Sequence, residues 1–456
     1  MSSRSFQRRS EIDIPLKELN DWHFRPGAFS RLNPPWEKAS VVKVPDSLEG
    51  GARAIIKVGA PPLQFNWIAE HHLIEDGFLD RQLSGPFAKW EHRHHFTESE
   101  AGTSSTLTDD ITYKLPFGFP GALFGGPIIK PKLNRMFRYR HDVTKSDLER
   151  RAENPPPKSL TVLITGSTGM IGKALSGYLQ TQGHRVIGIT RNPQSNEDIA
   201  WDPDNGVLDI PASVDPDAVI HLAGENVATG RWNEKKRAAI LESRTKGTKL
   251  IVEAVLKLKT PPSVFITASG SGYYQLGGER KNESSPAGDH FLSDVCQKWE
   301  AETAPLPNVG IRTIQARIGA VLSPAGGALQ KMLPLFQLGL GGKMGSGNQR
   351  MAWISLDDVI DILHRALYED SWEGPINLVA PEETTNKAFT KTMATVLKRP
   401  TFFPVPAFLI NTVFGEMGRE TVLADVAVTP QKLINLGYQF RHPDLQSALR
   451  HVMGRY

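Results

Sequence analysis

The chain has 456 residues, of which 39% are hydrophobic and 22% are charged, and lysines and arginines (53) slightly outnumber aspartates and glutamates (49). This composition is typical of a globular protein and excludes a disordered chain, a collagen and a coiled coil. The positive excess is not concentrated in any segment, so we expect no nucleic-acid partner.

Residues 1–150 are predicted to be rich in β-structure. The basic cluster of Arg4, Arg8 and Arg9 at their start is interpreted as a solvated terminus. Hydrophobic runs separated by turn residues then predict five strands, and a charged segment predicts a short helix at Ser146–Ala152. The predicted strands are Val41–Val44, Ala52–Val58, Gly77–Leu83, Lys89–Phe96 and Ser105–Tyr113.

A proline-rich linker at residues 151–158 marks the clearest boundary. Its three consecutive prolines cannot continue a helix or occupy a central strand. From residue 159 to about residue 400, strands alternate with helices, as in the long helical pattern Asn233–Lys259. This alternation predicts an α/β domain with a parallel sheet covered on both faces. The predicted strands are Leu160–Thr165, Arg185–Thr190, Ala218–Ala223, Val264–Ala268 and Thr313–Val321.

Residues 401–456 are predicted to form a small helical C-terminal segment. Two short helical patterns, Pro430–Leu436 and Leu445–Val452, lie within it. We expect this segment to cover the preceding domain rather than to form a catalytic unit of its own.

The strongest local signal is a glycine-rich loop that follows the strand Leu160–Thr165 and precedes an amphipathic helix. Glycines in the pattern G-x-x-G-x-x-G allow a tight turn, a close approach of the backbone to a pyrophosphate, and helix–strand packing. The free N–H groups of the helix N-terminus then favour the phosphates. We therefore predict dinucleotide binding by Gly166, Ser167, Thr168, Gly169, Met170, Ile171 and Gly172.

The residue at the end of the second strand favours NADP over NAD. An NAD site usually has an acidic residue there for the ribose hydroxyl, whereas this chain has Arg191, which could pair with a 2′-phosphate or face solvent. The segment Leu222, Ala223 and Gly224 ends another strand of the same sheet and is expected to pass the cofactor. The neighbouring His221 is interpreted as a packed strand residue.

These motifs, with others further along the chain, resemble the extended, epimerase-like branch of the short-chain dehydrogenase/reductase superfamily. The similarity is closest to an atypical family often labelled sugar nucleotide epimerase, and it spans about residues 159–453, including a short C-terminal epimerase-associated segment. The segments that carry it are residues 223–226, 231–232, 242–245, 268–274, 295–300, 341–347 and 353–354. The resemblance implies a Rossmann-type sheet with a small substrate lobe.

Residues 1–150 resemble the START-like (SRPBCC) helix-grip domains that precede such epimerases. The resemblance rests on residues 23–28, 31–36, 80–87 and 90–94 and on Tyr113. It implies an α+β domain in which a curved antiparallel sheet grips a long helix around a cavity for an apolar ligand.

The usual catalytic pair of the superfamily, Tyr-x-x-x-Lys, is absent. None of the eight tyrosines has a lysine four residues later, and Phe291 and Val295 stand where the pair is expected. The serine that holds the substrate oxygen is then Ser269 or Ser271, and Tyr273 or Tyr274 could replace the missing acid. We predict Ser269 and Tyr273 as catalytic residues of a hydride-transfer enzyme that acts on a small carbonyl or sugar-nucleotide-type substrate. The alternative is a catalytically silent NADP-binding sensor or scaffold.

Other candidate residues have more than one interpretation. Arg317 is expected to reach the cofactor or an internal carboxylate, and Glu300 and Asp294 are assigned to a solvated helix face. The loop Gly339–Gly347 either closes over a substrate, so that Gln349, Arg350 and Trp353 line the site, or is a surface connection.

We predict no metal site and a reducing compartment. His92 and His94 alternate on one strand face, but no third ligand is evident, so hydrogen-bonded strand histidines are expected. The single cysteine, Cys296, excludes an intrachain disulfide and is interpreted as a small buried residue. With no apolar run of about 18 residues and no signal-peptide pattern, we expect a cytoplasmic protein without a membrane span. The oligomeric state is not predicted.

Overall fold

The computed structural model describes residues 3–43, 51–59, 62, 64–116 and 118–456, with the side chains of residues 41, 43 and 118–126 left aside. The chain divides into two compact units, the first comprising residues up to Pro157 and the second nearly all of Lys158–Arg455. None of the helices in the described ranges combines the length and the apolar character needed to cross a bilayer.

In its described residues, the first unit contains one antiparallel sheet of seven strands and three helices. The sheet order is β1-β7-β6-β5-β4-β3-β2. The strands are β1 (Arg4–Ile12), β2 (Ala39–Lys43), β3 (Ala52–Val58), β4 (Phe65–Ile74), β5 (Gly77–Ser84), β6 (Lys89–Glu98) and β7 (Ser105–Lys114). The helices are α1 (Leu16–Phe24), α2 (Ala28–Leu32) and α3 (Gly118–Glu153).

The core of this unit lies between one face of the sheet and the long helix α3. Phe6, Trp90, Ile111 and Tyr113 from the sheet belong to one apolar cluster with Phe137 from the helix. Strand β6 shows why this sequence forms a half-buried strand, because its residues alternate between buried and more exposed positions.

The sequence missed two strands of the first unit and most of its long helix. The arginines of β1 lie in a regular strand that pairs with β7 along its whole length, and their side chains remain partly or fully exposed. Only Phe6 and Ile12 of β1 are buried, so its hydrophobic signal is weak. Helix α3 is far longer than the predicted Ser146–Ala152 because it continues through two prolines near its start. The predicted strand Val41–Val44 is observed at Ala39–Lys43, and Val44 lies outside the described residues.

The second unit alternates strands and helices. Its strands are β8 (Thr161–Thr165), β9 (Arg185–Thr190), β10 (Ile199–Asp202), β11 (Val207–Leu208), β12 (Ala218–His221), β13 (Val264–Gly270), β14 (Arg312–Ile318), β15 (Ala320–Leu322), β16 (Arg350–Met351), β17 (Trp353–Ser355), β18 (Gly374–Leu378) and β19 (Thr384–Thr385). Its helices are α4 (Met170–Thr181), α5 (Glu234–Leu256), α6 (Phe291–Ala301), α7 (Gly327–Gln337), α8 (Leu356–Arg365), α9 (Asn386–Leu397), α10 (Ala407–Phe414), α11 (Gln431–Asn435) and α12 (Leu445–Val452).

The main sheet of the second unit has the strand order β11-β10-β9-β8-β12-β13-β14-β18. All neighbouring strands are parallel except β10 and β11, so the predicted parallel α/β sheet is confirmed. The order places β8 beside β9 and β12, which is the doubly wound arrangement of dinucleotide-binding folds. The carboxyl ends of these parallel strands therefore lie along one edge of the sheet.

The C-terminal residues contribute to the core of the second unit. Leu433 and Tyr438 pack in the apolar cluster beneath the main sheet. Leu445 and Leu449 of α12 pack in a second cluster with Phe389 of α9. The predicted helix Leu445–Val452 is observed with the same bounds.

A fully buried histidine connects strand β12 to its neighbours. Thr248 donates its hydroxyl to the Arg244 carbonyl (2.6 Å), so it accepts a hydrogen bond from Nε2–H of His221 (3.0 Å). Nδ1 of His221 then accepts a hydrogen bond from the Thr165 hydroxyl (2.7 Å). Both ring nitrogens are satisfied in the neutral form, and burial lowers the pKa of His221 to about 3. His221 is thus a packed structural residue, as the sequence suggests.

This histidine makes the second unit sensitive to acid. Because its pKa is about 3 when folded and about 6.5 when unfolded, the unfolded state binds more protons as the pH falls below 6.5. Between pH 7.5 and 5.5 this linkage removes about 1.4 kcal/mol of stability. A His221→Asn variant lacks this loss, so its melting temperature should fall by roughly 3 °C less than that of the wild type over this range. Equal decreases for both proteins would contradict this assignment.

Candidate functional site

The loop after β8 has a tightly packed base. Gly166 has a φ of +69°, and a Cβ atom there would lie 3.0 Å from the Ala223 nitrogen. A Cβ atom at Gly172 would lie 2.2 Å from the Gly166 carbonyl oxygen, so helix α4 can approach the loop only with glycine at this position. The Gly169 N–H donates to the Gly166 carbonyl (3.0 Å) and closes the turn.

The outer side of the same loop is open. Thr168 and Gly169 are exposed, while Ser167, Met170 and Ile171 are half-buried. A Cβ atom at Gly169 would approach only the Gly166 carbonyl oxygen, at 3.2 Å. Since α4 begins at Met170, the loop presents bare backbone and a helix N-terminus at the carboxyl edge of the sheet, which is an arrangement suited to anionic groups.

The end of strand β12 is held against this loop by hydrogen bonds. The backbone N–H groups of Leu222 and Ala223 donate to the Thr165 hydroxyl oxygen, at 3.1 and 3.2 Å. The chain then passes through Gly224, where a Cβ atom would lie 3.2 Å from the Arg244 guanidinium carbon. The predicted segment Leu222–Gly224 is therefore adjacent to the base of the glycine loop.

Arg244 is a residue at this edge that sequence reasoning missed. Its guanidinium donates to the carbonyls of Glu225 and Ile240, both at 3.0 Å. Burial lowers the pKa of Arg244, and no carboxylate within the described ranges forms an ion pair with it. Arg244 lies within the segment 242–245 that carries the family resemblance, and its position against Gly224 depends on the packing of α5, which the sequence does not show.

Arg191 lies just beyond the end of β9 and is exposed. No hydrogen bond or ion pair engages it among the described residues. Its guanidinium therefore faces solvent and is available to an incoming anion.

A buried ion pair occupies the ends of β13 and β14. Arg317 binds the Glu300 carboxylate with two hydrogen bonds, at 2.8 and 2.7 Å, and its side chain is only 5% exposed. Ser269, directly across from Arg317 on β13, donates its hydroxyl to Glu300 at 2.6 Å. The assignment of Glu300 to a solvated helix face is wrong, because the last turn of α6 points this side chain at the sheet. Arg317 reaches the internal carboxylate.

The same network determines the role of Tyr274. Its hydroxyl accepts a hydrogen bond from Arg317 (2.8 Å) and donates one to the Asn377 side chain (2.7 Å). Tyr274 is buried, and although Arg317 opposes the effect, burial raises its pKa to about 12. Tyr274 is therefore a structural residue rather than a proton donor.

Tyr273 differs from its neighbour in exposure and in the state of its hydroxyl. It is half-buried in a single turn of 3₁₀-helix at Ser271–Tyr273. The guanidinium carbon of Arg317 lies 3.4 Å from the centre of its ring, which holds the ring in place. In the part of the chain that the structure describes, its hydroxyl has no hydrogen-bond partner, and neither has that of Ser271.

Helix α6 occupies the place where the superfamily carries its Tyr-x-x-x-Lys pair. Phe291 and Val295 pack in an apolar cluster with Trp232 and Met417. Cys296 is buried against the Gly270 carbonyl, and burial raises the pKa of its thiol to about 11. The helix therefore supplies no proton-transfer group at either motif position. Asp294, by contrast, is solvated and pairs with Lys298, as predicted.

The loop Gly339–Gly347 is fixed rather than open. A Cβ atom at Gly342 would lie 1.9 Å from the Phe403 carbonyl oxygen, and the Gly345 N–H donates to the Val405 carbonyl at 2.8 Å. The expectation that this region lines a substrate site is wrong for Trp353, which is buried in a core cluster. The other two expected lining residues have internal partners: Gln349 donates to the Met344 carbonyl, and Arg350 pairs with Asp425.

Removal of the Glu300 charge should destabilise helix α6. A Glu300→Gln change leaves Arg317 without its buried partner, a loss that typically costs about 3 kcal/mol or more. Cys296, the only cysteine of the chain, lies on the same helix and reports its opening. We expect the rate at which a thiol reagent labels Cys296 to rise about 100-fold, since 1.4 kcal/mol corresponds to about tenfold.

The matched control is Asp294→Asn on the same helix. The Asp294–Lys298 pair is half-exposed, so its loss should change the labelling rate by less than about fivefold. Similar labelling rates for the two variants would show that the buried pair does not stabilise the helix.

Family models match two parts of the second unit. Residues 162–378 match the NAD dependent epimerase/dehydratase family, and residues 405–452 match a domain of unknown function. The chain is 38% identical over 301 residues to the human epimerase family protein SDR39U1, covering 64% of this chain and 100% of the human protein. An epimerase family protein of Mycobacterium bovis is 38% identical over 296 residues, which cover 64% of this chain and 98% of that protein.

Two solved structures extend these similarities. The nucleoside-diphosphate sugar epimerase from Corynebacterium glutamicum is 32% identical in sequence to this chain, with a TM-score of 0.81. The match covers 98% of this chain and 90% of the Corynebacterium chain. Human SDR39U1, solved with NADPH, is 37% identical in sequence to this chain, with a TM-score of 0.61. The match covers 65% of this chain and 100% of the human chain. Together with the parallel sheet and its glycine loop, these matches show that the chain belongs to the NAD-dependent epimerase/dehydratase family.

Proposed function

We propose that the protein is an NADP-binding oxidoreductase of the epimerase type that acts on a small carbonyl or sugar-nucleotide-type substrate. The observation that carries this proposal is the loop Gly166–Gly172, which is packed at its base and exposes bare backbone at its outer side. Among the described residues this loop lies where doubly wound folds bind dinucleotides. The relationship to a protein solved with NADPH supports the same cofactor.

The residues of the loop would hold the cofactor diphosphate. On one side it would contact the seven loop residues Gly166, Ser167, Thr168, Gly169, Met170, Ile171 and Gly172. On the other side it would contact the end of strand β12, at Leu222, Ala223 and Gly224. When bound, the cofactor supplies the hydride donor or acceptor of the reaction. NAD remains the less favoured cofactor, since no acidic residue follows β9 at the position of Arg191.

Arg191 should select NADPH over NADH. A charge-assisted contact with a 2′-phosphate is worth about 1.5–3 kcal/mol, so Arg191→Ala should weaken NADPH binding by about 10- to 100-fold. NADH lacks this phosphate, and its affinity should change by less than about threefold. Both constants can be measured by titration of cofactor fluorescence.

Two further variants distinguish the cofactor site from general effects. Arg185→Ala, at the opposite end of the same strand, should leave both affinities unchanged. Gly169→Val should reduce both, because its side chain enters the open side of the loop. An Arg191→Ala variant that binds NADPH as tightly as the wild type would refute the phosphate contact.

For catalysis we propose that Tyr273 donates the proton to the substrate oxygen and that Ser269 holds that oxygen. The support for Tyr273 is its half-buried ring at the carboxyl edge and its unengaged hydroxyl. Ser269 donates its hydroxyl to Glu300 in this structure, so it holds a carbonyl oxygen only after this hydroxyl rotates away from Glu300 and donates to the substrate. Hydride transfer to a carbonyl carbon with proton transfer to its oxygen is a reduction, and epimerisation is this transfer run in both directions.

The second candidate function is a silent NADP-binding sensor or scaffold. It is favoured by the apolar packing of Phe291 and Val295 at the usual catalytic positions and by the internal use of Ser269 and Tyr274. In this alternative the nucleotide binds without turnover.

Single-turnover kinetics with bound NADPH separate the two functions. With aldehydes, ketones and nucleotide sugars as test substrates, the oxidoreductase should oxidise NADPH, and Tyr273→Phe should slow this step by about 10²- to 10⁴-fold. The control Tyr274→Phe alters the buried network and should retain most of the rate in the folded fraction. If the wild type binds NADPH but oxidises it with none of these substrates, the silent alternative is supported.

For the first unit we propose a START-like helix-grip domain that binds an apolar ligand. The seven-stranded antiparallel sheet and the long helix α3 support this assignment, as do the aromatic side chains between them. We also propose a cytoplasmic location, which rests on the single cysteine of the chain.

A further inference from the structure

A row of histidines and carboxylates crosses four neighbouring strands in the first unit. Strand register places Asp80 on β5 directly between His71 on β4 and His92 on β6. One pair further along, His94 on β6 lies opposite Asp109 on β7. His92, His94 and Asp109 are buried, and the Asp80 side chain is 20% exposed. Facing side chains in such pairs lie close together.

Asp109 forms a hydrogen bond with His92 and lies in close contact with His94, the two histidines of β6 in this cluster. Its Oδ1 lies 2.8 Å from Nε2 of His92 and 2.7 Å from Nδ1 of His94. Its Oδ2 lies 2.8 Å from Nε2 of His141 on α3. The expected hydrogen bonding of the strand histidines is therefore confirmed for His92. The second nitrogen of each ring faces away from Asp109: Nδ1 of His92 remains for another partner, and Nε2 of His94 lies near Asp80.

Asp80 supplies the third donor that the sequence did not reveal. Its Oδ1 pairs with Nδ1 of His71, and its Oδ2 lies 3.5 Å from Nε2 of His94. Asp80, His92 and His94 each have a donor atom within 4.8 Å of the others. Bonds of about 2.0–2.1 Å at tetrahedral angles place two zinc ligands roughly 3.3 Å apart, which is close to the observed separation of Asp80 and His94.

We propose that Asp80, His92 and His94 bind a divalent transition-metal ion, for which zinc is the best match. Two imidazoles and one carboxylate are a common donor set for zinc, and three protein ligands leave a fourth position for water or a bound molecule. Asp109 and His71 support the ligands without binding the metal. Asp109 contacts His92, and His71 contacts Asp80, which orients these two ligands.

The charges of the cluster fit a divalent cation. Two carboxylates, Asp80 and Asp109, lie in the interior of the sheet unit, where uncompensated negative charge is costly. The guanidinium of Arg140 interacts with both carboxylates and offsets part of their charge, and with neutral imidazole ligands a divalent ion offsets the rest. This site lies in the first unit and does not depend on the proposed oxidoreductase function.

The test uses the full-length protein, freed of metal by a chelator and then supplied with zinc. After gel filtration, elemental analysis should find about one zinc per chain in the wild type. Asp80→Asn and His94→Gln should each retain less than about a tenth of it. Asp109→Asn should bind zinc about 10- to 100-fold more weakly, as expected for the loss of a supporting carboxylate.

Two control variants make the assignment specific. His95 lies on the opposite face of strand β6 and pairs with Asp76. The His95→Gln variant should therefore retain the metal. His442→Gln alters a second group of possible ligands, formed with Asp357 and His451, and should also retain it. Absence of zinc from the wild type, full retention by Asp80→Asn and His94→Gln, or loss in His442→Gln overturns the proposal.

A measurement on the wild type keeps the test valid if a variant fails to fold. X-ray absorption of the zinc-loaded protein should show two imidazoles with the remaining ligands oxygen. A zinc coordination sphere with any number of imidazoles other than two would exclude this site.

Discussion

The pairing of Arg317 with Glu300 constrains the whole carboxyl edge of the second unit. It joins strand β14 to helix α6 and binds Ser269 of β13. Through Tyr274 it also reaches Asn377 on β18. Because a buried ion pair tolerates the loss of neither partner, these groups are committed to structure. Of the two neighbouring tyrosines, Tyr273 has a hydroxyl without a partner among the described residues, and its ring is held by the same guanidinium.

Much of the second unit could be predicted from sequence because its signals are local. An apolar strand followed by three spaced glycines predicts a dinucleotide loop without knowledge of any distant residue, and strand Arg185–Thr190 was predicted with its exact bounds. The role of Glu300 could not be predicted, because a carboxylate on a helix looks solvated until the strand that faces it is known. Asp80 likewise becomes a neighbour of His92 only through strand register.

The similar structures differ in how much of this chain they match. Human SDR39U1 is covered completely by 65% of this chain, whereas the Corynebacterium glutamicum structure matches across 98% of it. The epimerase fold is therefore found without a counterpart of the first unit. Its buried histidines and carboxylates are unusual for a domain expected to enclose an apolar ligand, since such groups remain inside a protein only when they are paired or bind an ion.

The packing of helix α6 also limits which substitutions this chain can accept. The usual catalytic pair would require two substitutions together, Phe291→Tyr and Val295→Lys. Val295 is buried in an apolar cluster with Trp232 and Met417. A lysine introduced alone would bury an amine without a counter-charge, and a tyrosine alone would lack its partner. Each single step is therefore disfavoured, so the pair could be introduced into this chain only by changing both positions together with the apolar side chains around them.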